Sequence, residues 1–344
     1  MATTVIAHPM AIGDANTTDA EKLALALKVF SGETLTAFTQ TSVTTGRVLE
    51  RTITSGKSAQ FPIFGRTSAQ YLKAGQSLDD KRQNIKQGER DIVIDGLLTA
   101  DTLIFDLDEF IAHYDFRSPY AAELGNALAL AHDGAVLAEM AKIATDTNEN
   151  VTGTTGKEAG TGLGGIVYGG AMASGETYGI NKETGLRVYN LLLQIKSKMA
   201  KNYVPVQGRT AYLDPDDFSA LSAALDLLNS QYGANGTILE GNVMRLAGFD
   251  VIECAHLKRG GDDAANVMQG SGHVFPTALS TKHCFLAVHQ SAVGVLRLKN
   301  LSMETGRRID YQADQIVAKM AVGVGGLRPE AAFVAVIDEA KPAT

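Results

Sequence analysis

SPYAAELGNALALAHDGAVLAEMAKIA, residues 118–144, decides how the rest of the chain is read. Ser118 stands at an N-cap position and Pro119 at the first helical position, and the alanine, leucine and glutamate that follow all favour helix. The stretch predicts one long helix. Leu124, Leu128, Ala131, Ala135 and Ala138 recur at steps of three and four on one face, and Leu130, Leu137 and Ala141 widen that face to one side. At a rise of about 1.5 Å per residue the helix is roughly 40 Å long, more than most globular helices reach. Gly125 and Gly134 interrupt it. Each costs about 1 kcal/mol against alanine, and each marks a place for a gentle bend or for the close approach of another backbone.

Composition sets the frame around this rod. With 344 residues, 45% of them apolar and 20% charged, the chain has the material for a sizeable core. A formal net charge of -7 argues against a large basic surface, and so against tight sequence-independent binding to duplex nucleic acid. The opening MATTVIAHPMAIGD has no basic region, and His8, Pro9 and Gly13 break its apolar residues, so no signal peptide is expected. No run approaches the roughly 18 apolar residues of a membrane span. The expected location is the cytosol in which the chain is made. Cys254 and Cys284, the only cysteines, lie in apolar strand-like segments and are expected to be buried and reduced.

Toward the N-terminus, residues 1–17 read as a flexible arm. Thr18 and Glu21 form a capping box, and Leu23, Leu27 and Phe30 recur on one face before Ser31 and Gly32 stop the helix. A helix of about 12 residues is marginal alone, so this stripe docks on the chain's own core or on a partner. Residues 47–95 follow as four short strand-like pieces separated at 55–57, 65–67 and 79–82, and together they resemble an extended hairpin. Its apolar residues (Ile53, Phe61, Ile63, Phe64, Tyr71 and Leu72) are few, while Arg51, Lys57, Arg66, Lys73, Lys81, Arg82 and Lys86 are spread throughout. A two-stranded ribbon needs cover on one face. A neighbouring subunit and the hairpin's own domain both remain available as that cover.

No chemistry-bearing motif emerges elsewhere. Asp95, Asp101, Asp106, Asp108, Glu109 and Asp115 are read as caps and solvated carboxylates, without the glycine-centred loop a calcium site needs. Residues 151–181 hold ten glycines in 31 positions and are expected to wander over a surface as a loop. GTTGK at 153–157 lacks the P-loop spacing and is followed by Glu158. Leu186, Tyr189, Leu192, Leu193, Ile195 and Met199 predict a second helix that ends before Val204 and Pro205. RTAYLD then reads as a strand, Pro215 and Asp216 open a helix through Leu228, and GFDVIECAHL, CFLAVHQ and GVLRLKN read as strands. The alternation suggests a compact α/β or α+β domain over 182–300. Cys254, His256, His283, Cys284 and His289 lack ligand spacing, and His283 and Cys284 cannot share a strand face, so no metal site is read. Neither GxSxG nor HExxH occurs. The alternation of Ile309, Tyr311, Ala313, Ile316 and Ala318 predicts one long strand returning across the molecule.

Several blocks then agree with one known family. YQADQIVAKMAVGVGGLRPEAA (311–332), LALALKVFSGETLTAFTQTSVT (23–44), SGKSAQFP (55–62), DGLLTAD (95–101), KNYVP (201–205) and HQSAVGVLRLKNL (289–301) resemble the major capsid proteins of short-tailed (podovirus) double-stranded DNA phages of the T-seven group. The resemblance runs along nearly the whole chain and weakens in residues 1–17 and 147–182. It implies an α+β fold of the Hong Kong 97 type. The implied parts are an N-terminal arm at 1–46, an extended loop at 47–95, a peripheral domain at 96–150 with its spine helix at 118–144, an axial domain at 151–296, a returning peripheral strand at 297–325 and a C-terminal segment at 326–344.

The hairpin would then lie across the adjacent subunit. Phe61, Ile63, Phe64 and Tyr71 would supply apolar contact, and Arg51, Lys57, Arg66, Lys73, Asp79, Asp80, Lys81 and Arg82 a charged rim, while Leu23, Leu27 and Phe30 dock the arm helix. The implied function is self-assembly, in hexamers and pentamers with a scaffolding protein, into an icosahedral procapsid. In the host cytoplasm that shell matures into the virion head enclosing double-stranded DNA. Portal or connector protein and a minor capsid or decoration protein are implied partners. No membrane contact, cofactor, metal or catalytic residue is implied, and no covalent mesh is expected from Lys57 or Lys73. An encapsulin-like nanocompartment of the same fold is the alternative, and a metabolic enzyme built on the 182–300 domain is the reading from outside shell proteins. Without the resemblance, the residues give a mixed α/β protein with an extended arm that forms oligomers.

Overall fold

The computed structural model describes residues 33–341 apart from 40, 66–68, 70, 80, 81, 83, 84, 86, 108–116, 147–163, 173–175, 225–244, 256, 258–272 and 280. The long helix, α1, spans Arg117–Thr145, 29 residues. Ala121, Leu124, Leu128 and Ala129 are buried along one side of its first half, and every residue from Ala135 to Ala141 is buried in the second. The second half is thus a core helix, packed all round. Leu130 departs from the predicted stripe. It stands two residues beyond Leu128, on the far side of the helix, and is exposed.

The described residues form two compact units. One is drawn from the described parts of Met1–Thr41, Thr99–Ala129 and Leu301–Met320. Within it residues 33–39 are helical and cross α1 at Gly125, where an added Cβ would stand 2.5 Å from the Thr34 carbonyl oxygen and 2.9 Å from Ala37 Cβ. The close backbone approach expected at that glycine is therefore present. Thr34 and Phe38 are buried there, and the Thr34 hydroxyl donates to Met303 Sδ at 3.3 Å.

The other unit holds a six-stranded mixed sheet. Its strands are β5 (Gly165–Tyr168), β6 (Arg209–Leu213), β7 (Arg245–Leu246), β8 (Phe249–Glu253), β9 (Cys284–His289) and β12 (Ala332–Val336), in the order β5-β12-β9-β6-β8-β7. β12 runs parallel to β5 and antiparallel to β9, and β6 is antiparallel to β9 and parallel to β8. β6, β9 and β12 are buried along their whole lengths, which is why RTAYL, CFLAVH and AFVAV read as unbroken apolar runs. Cys254 and Cys284 are free and buried. Helix α2 (Lys182–Lys201) is capped by Asn181, whose side chain accepts from Thr184 N at 2.8 Å. Its buried stripe runs through Thr184, Gly185, Val188, Leu191, Leu192, Ile195 and Met199, so the predicted Leu193 lies outside it and is exposed. α3 covers Pro215–Ala223, and the expected continuation to Leu228 lies outside the described residues.

Two sequence expectations change here. The glycine-rich stretch is not loop throughout, because Ile166, Val167 and Tyr168 have strand-forming side chains and pair with Val334, Ala335 and Val336. Within the C-terminal segment 326–344, β12 lies between β5 and β9. The predicted single long strand is two, β10 (Val293–Arg308) and β11 (Ala313–Gly326), separated by a turn at Ile309–Tyr311. Gln312 closes that turn in the left-handed conformation, φ 47°, with its N–H on the Ile309 carbonyl at 3.2 Å. β10 and β11 belong to a four-stranded sheet ordered β1-β10-β11-β4, where β1 is Leu49–Thr52 and β4 is Gly96–Phe105.

Candidate functional site

The sequence-predicted ribbon is built on β2 (Ser58–Phe64) and β3 (Gln87–Val93), paired antiparallel with Ser58 opposite Val93 and Phe64 opposite Gln87. Strand alternation turns Ala59 and Phe61 inward. There they meet Ile92, Ile94, Leu296 and Leu327 in a small core, against which Ile53 and Leu298 pack. Within its own chain Phe61 is 9% exposed, and it also lines a groove beside β2. Arg51 is also engaged internally, its guanidinium carbon 5.5 Å from the Phe61 ring centroid and its Nη1 donating to the Gln60 carbonyl at 3.0 Å.

The outward face and the residues beyond it are different. Ile63 is half-buried, Phe64 is 61% exposed, and Tyr71 is 97% exposed. Leu72, Leu78 and Ile85 are exposed as well. Sequence reasoning passed over Leu78 and Ile85 because each stands alone among polar neighbours; only their isolation on an uncovered loop gives them weight. Full burial of one such side chain is worth about 1.5–3 kcal/mol, and the chain by itself leaves all five uncovered. Of the charged residues, Lys57 and Lys73 are exposed, and Arg82 pairs with Asp79 at 2.6 Å. Arg66, Asp80 and Lys81, and the arm residues Leu23, Leu27 and Phe30, lie outside the described residues.

Two buried polar clusters fix the root of the ribbon. His273 Nε2 is 2.7 Å from Asp95 Oδ2, between β3 and β4, and His273 Nδ1 is 2.8 Å from Glu139 Oε1 on α1. Burial alone lowers the imidazole pKa. Hydrogen bonds and charge from Asp95 and Glu139 more than offset this and raise it from 6.5 to about 9, so at neutral pH an imidazolium donates to both carboxylates. Burial likewise raises Glu139, but His273 and Lys142 hold its carboxyl below the usual range. Arg90 adds a 3.1 Å pair to Asp146. At the second cluster the buried Asp133 carboxylate accepts from Ser42 Oγ at 2.7 Å, Val43 N at 2.7 Å and Thr44 Oγ1 at 2.5 Å, fixing the chain just before β1. In the other unit, Arg307 pairs with Asp106 and Asp314 beside the exposed Ile309 and Tyr311. Its hydrogen bond holds the Asp106 carboxyl below the usual range.

Two of the histidines with zinc-ligand chemistry have other partners. His283 stacks on Tyr178 with centroids 3.6 Å apart, and His289 Nε2 donates to the Gln207 carbonyl at 2.9 Å. His256 lies outside the described residues, and among those described no cluster of three or more ligating side chains is arranged to hold a metal. No helix among them is long and apolar enough to cross a membrane.

Comparison with known proteins gives a consistent result. The family model for Gp10A-like major capsid proteins matches residues 60–336. The major capsid protein of Escherichia phage T7 is 45% identical over 324 residues, which is 91% of each chain. That of Enterobacteria phage T3 is 46% identical over 330 residues, covering 92% of this chain and 93% of the other. Among solved structures, the capsid of Cyanophage P-SCSP1u superposes with a TM-score of 0.69 at 29% identity over 87% of this chain and 89% of that one.

Proposed function

The chain belongs to the Gp10A-like family of major capsid proteins, and from that premise we propose that the uncovered ribbon over 47–95 is what joins its copies into a phage head. The protein is a capsid shell subunit with a fold of the Hong Kong 97 type. The observation that carries the proposal is the set of exposed apolar side chains, Phe64, Tyr71, Leu72, Leu78 and Ile85, on a ribbon whose few inward residues are already used. On a neighbouring copy they regain the burial they lack. Lys57, Lys73, Asp79 and Arg82 form the polar rim of that contact, and the arm stripe Leu23, Leu27 and Phe30 adds a second one. No single contact has to be strong, because each bound neighbour raises the effective concentration for the next.

On this reading hexamers and pentamers close into an icosahedral procapsid around a scaffolding protein, in the host cytoplasm. Portal protein occupies one vertex, and the mature head encloses double-stranded DNA. The net charge of -7 suits a container, since a strongly basic wall would hold the duplex it has to release. Relatives at 45% and 46% identity are phage head proteins, which disfavours the encapsulin-like alternative. The test is to express the protein with its scaffold and compare it with a variant in which residues 66–86 are replaced by a short glycine-serine linker. The intact chain is expected to form shells visible by negative-stain microscopy, with the variant remaining as folded free subunits. Shell formation by the variant at the same subunit concentration would refute the ribbon's role.

A further inference from the structure

Beside the outward edge of β2 runs a groove walled by Leu49, Ile63, Phe64, Leu327 and Arg328, with Glu330 in its lining. Glu330 is 2% exposed. Its Oε1 accepts from Arg328 Nε at 2.7 Å, while Oε2 is buried with no hydrogen-bond partner among the described residues. A buried carboxylate oxygen without a donor is costly; Arg328 is engaged at Oε1, and the apolar side chains of the groove offer Oε2 none. The group that satisfies such a site carries N–H donors and positive charge on an apolar stem, which describes a lysine or arginine side chain.

The ribbon holds a side chain of that description. Lys73 opens a tight turn, closed by Gln76 N on the Lys73 carbonyl at 3.1 Å, with Gly75 at φ +85°. The turn follows Tyr71 and Leu72, so a cation and two exposed apolar side chains are offered together. Arg82 is held by Asp79, whereas Lys73 makes no ion pair among the described residues. We infer that in the shell the 71–73 segment of one copy seats in this groove of a neighbouring copy, with Lys73 Nζ donating to Glu330 Oε2. The inference rests on the shell reading above and adds to it the particular contact.

The test uses the full chain. Unsubstituted protein is assembled first, and a failure to form shells ends the shell reading and this contact together. Shells carrying Lys73→Cys with Ser291→Cys, Ser291 being a further residue of the groove, are then treated with a mild oxidant. Dimers and higher species are expected on a non-reducing gel, absent from either single variant; the native cysteines are buried and do not interfere. Shells that give only monomer, or a monomer closed by an internal disulfide, overturn the contact and leave the shell reading standing. In a second arm, Lys73→Glu or Glu330→Lys alone raises the subunit concentration needed for assembly roughly ten- to a hundredfold, the loss of one charge-assisted hydrogen bond, and the pair together recovers it. A folded double variant that stays as defective as either single one overturns the inference. Because lysine at a buried position threatens the fold, the disulfide arm, which leaves Glu330 in place, decides alone if Glu330→Lys does not fold.

Discussion

Replacing His273 with glutamine removes the cation between Asp95 and Glu139 while keeping a side chain that can hydrogen-bond. The folded pKa of about 9 stands above the ordinary 6.5. A raised histidine pKa contributes stability that is fully present below the unfolded value and is lost as pH rises through the folded one. From 6.5 to about 9 the linked free energy is about 3.4 kcal/mol at most; near pH 7, where the unfolded imidazole is already mostly neutral, and after some screening, it is about 2 kcal/mol. Glu139 works in the opposite sense. Its depressed carboxyl contributes above the ordinary 4.5 and loses that contribution as pH falls through its folded value. The groups facing the cluster include Lys142, 3.1 Å from Glu139 Oε1, and the Arg90–Asp146 pair. Urea unfolding of the free subunit across about pH 6 to 10 is therefore expected to show a fall in stability as His273 deprotonates, with His273→Gln about 2 kcal/mol less stable near neutral pH and flatter across that range. Amide exchange at 92–96 should quicken over the same range, since Asp95 ties the ribbon's root to α1 through this histidine. An imidazole that titrates near 6.5 by NMR, or a wild-type slope retained in the variant, refutes the reasoning.

Phe61→Ala is expected to cost about 3 kcal/mol in subunit unfolding. Phe64→Ser should leave the melting temperature within experimental error while lowering shell yield, which separates the two faces of β2. Asp133→Ala, which strips three donors of one buried acceptor, is expected to cost about 3 kcal/mol by urea denaturation. Gly125→Leu should lower the melting temperature through a backbone shift at Thr34 costing about 1–3 kcal/mol. Boiling assembled shells in detergent should release one band at the 36.4 kDa of the subunit, and a ladder of multimers would show a covalent mesh.

The long helix was legible because alanine and leucine at helical spacing specify a core helix with no help from distant sequence, and Gly125 marked the crossing of another backbone. The family was legible because blocks far apart in the chain agree with it together. What failed to show was whatever depends on pairing across the chain. Phe61 and Phe64 lie three residues apart in one apolar run, and only the register with β3 turns one inward and the other out. Ile166–Tyr168 are three strand-forming residues in a glycine-rich setting, and β12, which fixes them, is more than 160 residues away. The His273 cluster has partners 134 and 178 residues distant, with no spacing to announce them. The turn at Ile309–Tyr311 hid because alternation persists on both sides of it.

The position of β12 bears on how the subunit is made. Synthesis delivers Ala332–Val336 after both strands that flank it, so until then β5 and β9 keep bare backbone edges toward each other. A nascent or interrupted chain that stops short of residue 332 cannot close its sheet. Such a fragment is sticky through those edges, a substrate for chaperones and proteases, and it is kept out of the lattice by its own unfinished interior.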